Sequence, residues 1–211
     1  MIRLYYSPGS CSLASHIALE EAGAEFEVRR LSFADGEQKG EAYRKINPKG
    51  KVPALVDDEW VLTETPAILF HIARCFPAAD LWPNPARESA RCAEWLAWLS
   101  STIHPAYSHV LRPERYAGPH ALQDVAETAR TTCRTLWATV DERLGAGPWA
   151  LGPHYSVVDP YLFVIWTWGR PGLRFDIDST CPNWTAHARR MQQRPAVRAA
   201  LAREGLVIPG F

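Results

Sequence analysis

The chain of 211 residues has no net charge: 23 lysines and arginines balance 23 aspartates and glutamates. A protein that neutralises nucleic-acid phosphates usually carries a basic excess, so that class of partner is set aside. A long apolar run is also missing. The longest, residues 161–168, falls far short of the roughly 20 residues that cross a bilayer, and no membrane span is expected. The N-terminus reaches a Pro-Gly turn at Pro8-Gly9, too early for the apolar stretch of a signal peptide, so a cytoplasmic location is expected. The five cysteines (Cys11, Cys75, Cys92, Cys133, Cys181) are odd in number, widely spaced and without a C-x-x-C pair. That excludes a sequence-level case for a disulfide framework or a zinc site; free thiols and no metal are expected. Lysine is scarce, and all four (Lys39, Lys45, Lys49, Lys51) fall between positions 39 and 51. Internal repeats and low-complexity segments are absent.

What is present divides near residue 80. Residues 1–80 carry a net charge of −3 and residues 81–211 a net charge of +3, and eight of the nine tryptophans lie in the second part. Between them, Pro77, Pro83 and Pro85 deny a helix its N–H donors and mark a linker. The expected division is 1–76, a linker over 77–85, and 86–211.

In the first part the patterns predict strands over 2–6 and 26–31 with a helix over 13–22 between them, ending at Gly23. A second helix is predicted over 37–46, strands over 52–56 and 60–63 joined by an acidic turn, and a helix over 66–75. The order is β-α-β-α-β-β-α. In the second part Leu122, Val125, Ala129, Cys133, Leu136, Val140 and Leu144 recur at spacings of three and four, giving a helix with one apolar face. The stretch 157–168 is apolar nearly all round and predicts a buried helix. The fold class is thus an α/β domain followed by an all-α domain.

Several residues invite chemistry. Cys11 follows the first strand and opens the first helix, where unpaired N–H groups and the helix dipole favour a thiolate; the alternative is a small residue closing a turn. Val52-Pro53 opens a strand. A cis bond there would turn the Val52 backbone toward an extended peptide, while the plainer reading is a proline at the start of an edge strand. Thr65 reads as an N-cap with Pro66 at the first helical position. Beside it Glu64 is placed to hold an ammonium, so the pair suits an amino-acid head group as well as a structural cap. Lys39, Arg44, Lys45, Lys49 and Lys51 against Glu41 form an island of +4, either a solvated face or an attractor for a small anion. Ser156-Val157-Val158-Asp159 has the form of a capping box, a folding device. His104 lies where it could reach a cleft between the halves or simply make a structural hydrogen bond. Among the aromatics, Tyr107 and Trp166, with Leu111, are candidate walls for an apolar pocket.

Together the segments 5–16 (Tyr-Tyr-Ser-Pro-Gly-Ser-Cys-Ser-Leu-Ala-Ser-His), 47–55 (Asn-Pro-Lys-Gly-Lys-Val-Pro-Ala-Leu), 63–68 (Thr-Glu-Thr-Pro-Ala-Ile) and 156–163 (Ser-Val-Val-Asp-Pro-Tyr-Leu-Phe) make the chain resemble a bacterial glutathione S-transferase, most closely the beta class. The resemblance implies a thioredoxin-like N-terminal domain, a helical C-terminal domain, a homodimer, and glutathione as co-substrate with a small electrophile. It implies that Cys11, His104 and Tyr6 surround the glutathione sulfur. Ser10, Lys51, Val52, Pro53, Glu64 and Thr65 would hold the peptide, with Pro53 cis, and Lys39 stands in for a family lysine missing from this sequence. His104 is followed by Pro105 where the family usually has lysine. The activity implied is conjugation of the glutathione thiolate to apolar electrophiles. A thiol–disulfide reductase or peroxidase acting through a Cys11 mixed disulfide, and a binding or regulatory protein on the same fold, are the alternatives.

Overall fold

The computed structural model describes residues 1–145, 147–170 and 175–208; the last residues of the expected helical domain, 209–211, lie outside the described residues. Strand β1 (Ile2–Tyr6) leads through helix α1 (Ser12–Glu21) to β2 (Phe26–Arg30), which pairs parallel with β1. Leu4 and Tyr6 alternate inward toward α1, while Tyr5 between them packs on Tyr43. Strands β3 (Ala54–Asp57) and β4 (Trp60–Thr63) complete a mixed sheet in the order β2-β1-β3-β4, with β3 antiparallel to β1 and to β4. Helix α3 (Thr65–Cys75) closes this thioredoxin-like half.

Three details differ from the sequence patterns. The helix expected over 37–46 is a 3-10 turn (Glu37–Lys39) and a short helix α2 (Glu41–Arg44), because Gly40 between them is extended, with φ −66° and ψ 152°. The strand expected from 52 starts at Ala54, since Val52-Pro53 is a cis peptide and Pro53 has no N–H for a ladder. Helix α3 begins one residue early, with Glu64 as N-cap and Thr65 at the first helical position.

The helical half comprises α4 (Ala86–Trp98), α5 (His104–Leu111), α6 (Leu122–Leu144), α7 (Val158–Trp168), α8 (Ile177–Thr180), α9 (Pro182–Gln193) and α10 (Pro195–Glu204). A π-helical stretch, Leu99–Ile103, joins α4 to α5. Pro105 explains it: proline offers no N–H to the preceding turn and its ring crowds the carbonyl four residues back, so the helix widens instead of continuing. Helix α6 buries Ala129, Cys133, Val140 and Leu144 as its periodicity predicts, with Ala126 and Trp137 added to the same stripe. Helix α7 is buried nearly throughout. The capping box at its start is formed: Ser156 N–H donates to Asp159 Oδ2 at 2.8 Å and Val158 N–H to Ser156 Oγ at 3.3 Å. One hydrophobic core runs through both halves, from Leu4, Leu13, Ile17 and Ile68 to Trp95, Leu162 and Trp184. None of the helices described is long and apolar enough to cross a membrane.

Candidate functional site

The site is assembled from the ends of elements. After β1 the chain turns through Pro8 and Gly9, with Ser10 N–H donating to Ser7 O at 3.1 Å. Gly9 has φ +68°, the left-handed value that the third position of such a turn demands and that glycine supplies at no steric cost. Hydroxyls then tie the loop to the start of α1: Ser10 Oγ lies 2.7 Å from Ser12 Oγ, which in turn lies 3.3 Å from Ser7 O. The hydroxyl of Ser10, expected to touch glutathione, is engaged in this local network. The loop delivers Cys11 to the N-cap of α1, as the sequence predicts.

There the thiol behaves differently from expectation. Cys11 Sγ lies 3.4 Å from the carbonyl of Val52 and donates to it. Burial pushes the thiol up to about 11, outweighing the hydroxyl of Thr65, the local backbone donor and the charge of Lys51, all of which favour the thiolate. The helix N-terminus alone does not make a thiolate here because desolvation of the charged form is the larger effect.

The cis Val52-Pro53 bond is the second part, so the less plain of the two sequence readings is the correct one. The loop before it is firmly held. Tyr43 Oη and Asn47 Nδ2 both donate to Lys51 O at 2.6 Å, and Gly50, at φ +62°, has no room for a Cβ beside Gln38 O. The third part is the start of α3. Glu64 adopts φ +75° and ψ 120°, a conformation uncommon for a residue with a side chain and one that tends to mark functional positions. Its carboxylate is exposed and paired with Lys49 Nζ at 2.6 Å, while Thr65 is buried with its hydroxyl toward Cys11.

From the helical half comes His104, at the first position of α5. Its Nδ1 is 3.1 Å from the hydroxyl of Tyr161 and its ring packs edge-on against Trp168 at 4.8 Å. Burial, with the nearby charge of Lys51, lowers it to about 4, so the imidazole is neutral at physiological pH. Cys11, Thr65, Glu64, Lys51, His104 and Tyr161 are close enough for their charges and dipoles to act on one another.

Other expected site residues are not among the groups that act on Cys11 and His104. Tyr6 is buried with its ring on His16 at 5.8 Å, and burial and the charge of Glu204 raise its hydroxyl. Lys39 is exposed on the turn before Gly40. Two of the three proposed pocket walls are corrected. Trp166 is fully buried, donating from Nε1 to Thr185 Oγ1 at 3.2 Å, and Tyr107 is sealed among Trp137, Trp168 and Phe175. Both are core because their faces of α7 and α5 turn inward, which sequence spacing alone does not reveal. Leu111 is exposed, on the same face of α5 as His104 and Ser108. On another face, Pro105, Ala106 and His109 line a cavity of about 550 Å³ against α6.

Two anchors escaped the sequence analysis. Trp168 Nε1 donates to Gly9 O at 2.8 Å. The carboxylate of Glu204, fully buried, accepts from Gly9 N–H at 3.0 Å and lies 2.9 Å from His16 Nδ1. Gly9 is thereby held on both of its peptide groups by the helical half. No local motif signals this, since the partners lie 159 and 195 residues away.

Comparison with known proteins agrees with this geometry. Residues 1–74 match the family described as Glutathione S-transferase, N-terminal domain. Over 208 residues, 97% of this chain and 100% of the relative, the sequence is 36% identical to Glutathione S-transferase GST-4.5 of Xanthomonas campestris pv. campestris. The chain belongs to the glutathione S-transferase family. Among solved members, it is similar to a glutathione transferase homolog from Sulfitobacter that holds bound glutathione, with a TM-score of 0.91 at 35% identity over 98% of this chain and 99% of that one. It is also similar to a beta class glutathione S-transferase of Sphingomonas chungbukensis, with a TM-score of 0.85 at 38% identity over 97% of this chain and 100% of that one. The beta-class likeness carried by the motifs is therefore borne out in sequence and in fold.

Proposed function

We propose that this glutathione S-transferase binds glutathione along the Val52-Pro53 edge and transfers small apolar electrophiles to its sulfur. The observation that carries the reading is the convergence of the cis Val52-Pro53 edge, the Glu64-Thr65 helix start and the Cys11 thiol, with Sγ 3.4 Å from Val52 O. An extended cysteinyl residue pairs with Val52, the γ-glutamyl head group lies at Glu64 and Thr65, and Lys51 and Lys39 attract the glycyl carboxylate. The glutathione sulfur loses its proton to solvent and attacks an electrophilic carbon. A C–S bond forms as the leaving group departs with the electron pair. Neutral donors near the sulfur, Cys11 Sγ–H and the Thr65 hydroxyl, with the neutral His104 ring, favour the thiolate without adding charge. The electrophile lies against Trp168 and the α5 face of His104, Ser108 and Leu111. Tyr6 supports the β1 end of the loop.

The second reading, disulfide exchange through a Cys11 mixed disulfide, is favoured by the position of Cys11 at a helix N-terminus. A thiol pushed up to about 11 supplies little thiolate for that step at neutral pH, which favours conjugation. The test is Cys11→Ala assayed with a panel of aryl halides and epoxides, and separately with a small disulfide substrate. Conjugation retained within about tenfold supports the transferase; loss of nearly all activity, with disulfide reduction the faster reaction in the wild type, replaces it with the reductase. Failure of the wild type to bind glutathione would leave the binding-protein alternative. The remaining parts of the proposal are a homodimer, a cytoplasmic location, a role in detoxification, and domains at 1–76 and 86–211 with the linker 77–85.

A further inference from the structure

The ion pair at the mouth of the site has a direction that the island of positive charge does not suggest. Lys49 Nζ donates to Glu64 Oε1 at 2.6 Å and to Thr63 Oγ1 at 2.7 Å. The backbone that presents it is fixed. Lys49 N–H donates to Asn47 Oδ1, Gly50 N–H to Asn47 O, and Asn47 Nδ2 to Lys51 O, so the turn that carries Lys49 is fixed on the same asparagine that steadies the cis Val52-Pro53 edge. On the other side, the positive φ of Glu64 fixes where its carboxylate leaves the backbone. A protein ammonium therefore sits on the carboxylate that the proposed function gives to the ammonium of the γ-glutamyl residue.

We infer that Lys49 is an internal competitor for Glu64: it fills the ammonium subsite of the free protein and is displaced when glutathione binds, which sets the affinity below what the site would otherwise give. This rests on the proposed glutathione reading of the site. Each event exchanges one ammonium on Glu64 for another, so the cost of binding is the lost Lys49 pair. Both side chains are about half exposed or more, at 49% and 65%, so the pair is weak and the effect modest. The selectivity consequence is chemical. A ligand with the amine gains from Glu64 only after removing Lys49, whereas one with a carboxylate but no amine leaves Lys49 in place.

The experiment is titration calorimetry of wild type, Lys49→Met and Lys49→Arg with glutathione and with glutaryl-cysteinyl-glycine, which differs by lacking the ammonium. Lys49→Met is expected to bind glutathione about two- to fivefold tighter, with no gain for the glutaryl peptide, and Lys49→Arg to resemble wild type. Weaker or equal glutathione binding by Lys49→Met, or an equal gain for both peptides, overturns the inference while leaving the glutathione site standing. Absence of glutathione binding by all three proteins removes the site itself and the inference with it. Melting temperatures within a few degrees of wild type are required of both variants, and Lys49→Arg keeps the test decisive if Lys49→Met folds poorly: glutathione binding clearly unlike wild type in Lys49→Arg also overturns it.

Discussion

The sheet half and the helical half contribute to the site in opposite ways. In the sheet half the working groups sit at the ends of elements, on turns a few residues long: Gly9 to Cys11, Val52-Pro53, and Glu64-Thr65. In the helical half they also sit at element ends, His104 opening α5 and Trp168 closing α7, but what brings them to the site is the helix face they occupy, since their neighbours Tyr107 and Trp166 turn into the core. A turn is specified by its own residues, because proline, glycine and a capping residue restrict φ and ψ locally. A helix face is specified by the rotation of the whole helix against its partners. The two halves therefore tolerate error differently: the same substitution chemistry should appear as lost binding in one and lost folding in the other.

The sharpest break of that contrast is Trp166→Ala. As core it should cost about 3–5 kcal/mol in urea unfolding; a change in KM with stability intact would make it a wall after all. Next comes His104, which crosses from one regime to the other. Its imidazole takes up a proton in the folded protein only near pH 4, but at about 6.5 in the unfolded chain, so between those values the unfolded state holds more protons. Stability should fall as pH drops from 6.5 toward 4, by at most about 3 kcal/mol from this residue. His104→Gln should flatten that part of the profile, and an unchanged slope would show that the ring is not held neutral. The smallest effect is expected for Trp168→Phe, which keeps the ring contact with His104 and removes the hydrogen bond to Gly9. It should cost about 1 kcal/mol, seen in one unfolding transition common to circular dichroism and fluorescence. Two separated transitions would mean that the halves unfold independently.

The same contrast explains what could be read before the fold was in hand. The β-α-β-α-β-β-α order and the place of Cys11 were legible, because each depends on residues adjacent in sequence; the start of α3 was read one residue late, at Thr65-Pro66, and the residues alone left Val52-Pro53 open between a cis bond and a plain edge-strand proline. The break at Gly40 and the π-helical turn before Pro105 were visible as residues but not as consequences. The balance at Cys11 was not legible: the helix N-terminus is encoded locally, but the burial that opposes a thiolate arises only once folding brings Val52 and Thr65 against the thiol. Glu204 and Trp168 carried no motif that signalled their role, and His16 closes the 5–16 segment without announcing its partner, since a glutamate near the end of a helix is unremarkable until Gly9 is found beside it. The pocket aromatics failed for the reason that defines the helical half, that apolar residues on neighbouring helix faces look alike in sequence.

The carboxylate of Glu204 also sets a schedule. The loop from Gly9 to Cys11 precedes α1, yet the group that anchors its Gly9 N–H belongs to α10, so the loop is synthesised well before its anchor. A nascent chain that has emerged only as far as α9 carries the entire sheet half and lacks that anchor. That hold on Gly9 therefore waits until α10 has emerged, and a product stalled or clipped before α10 would carry the sheet half without it.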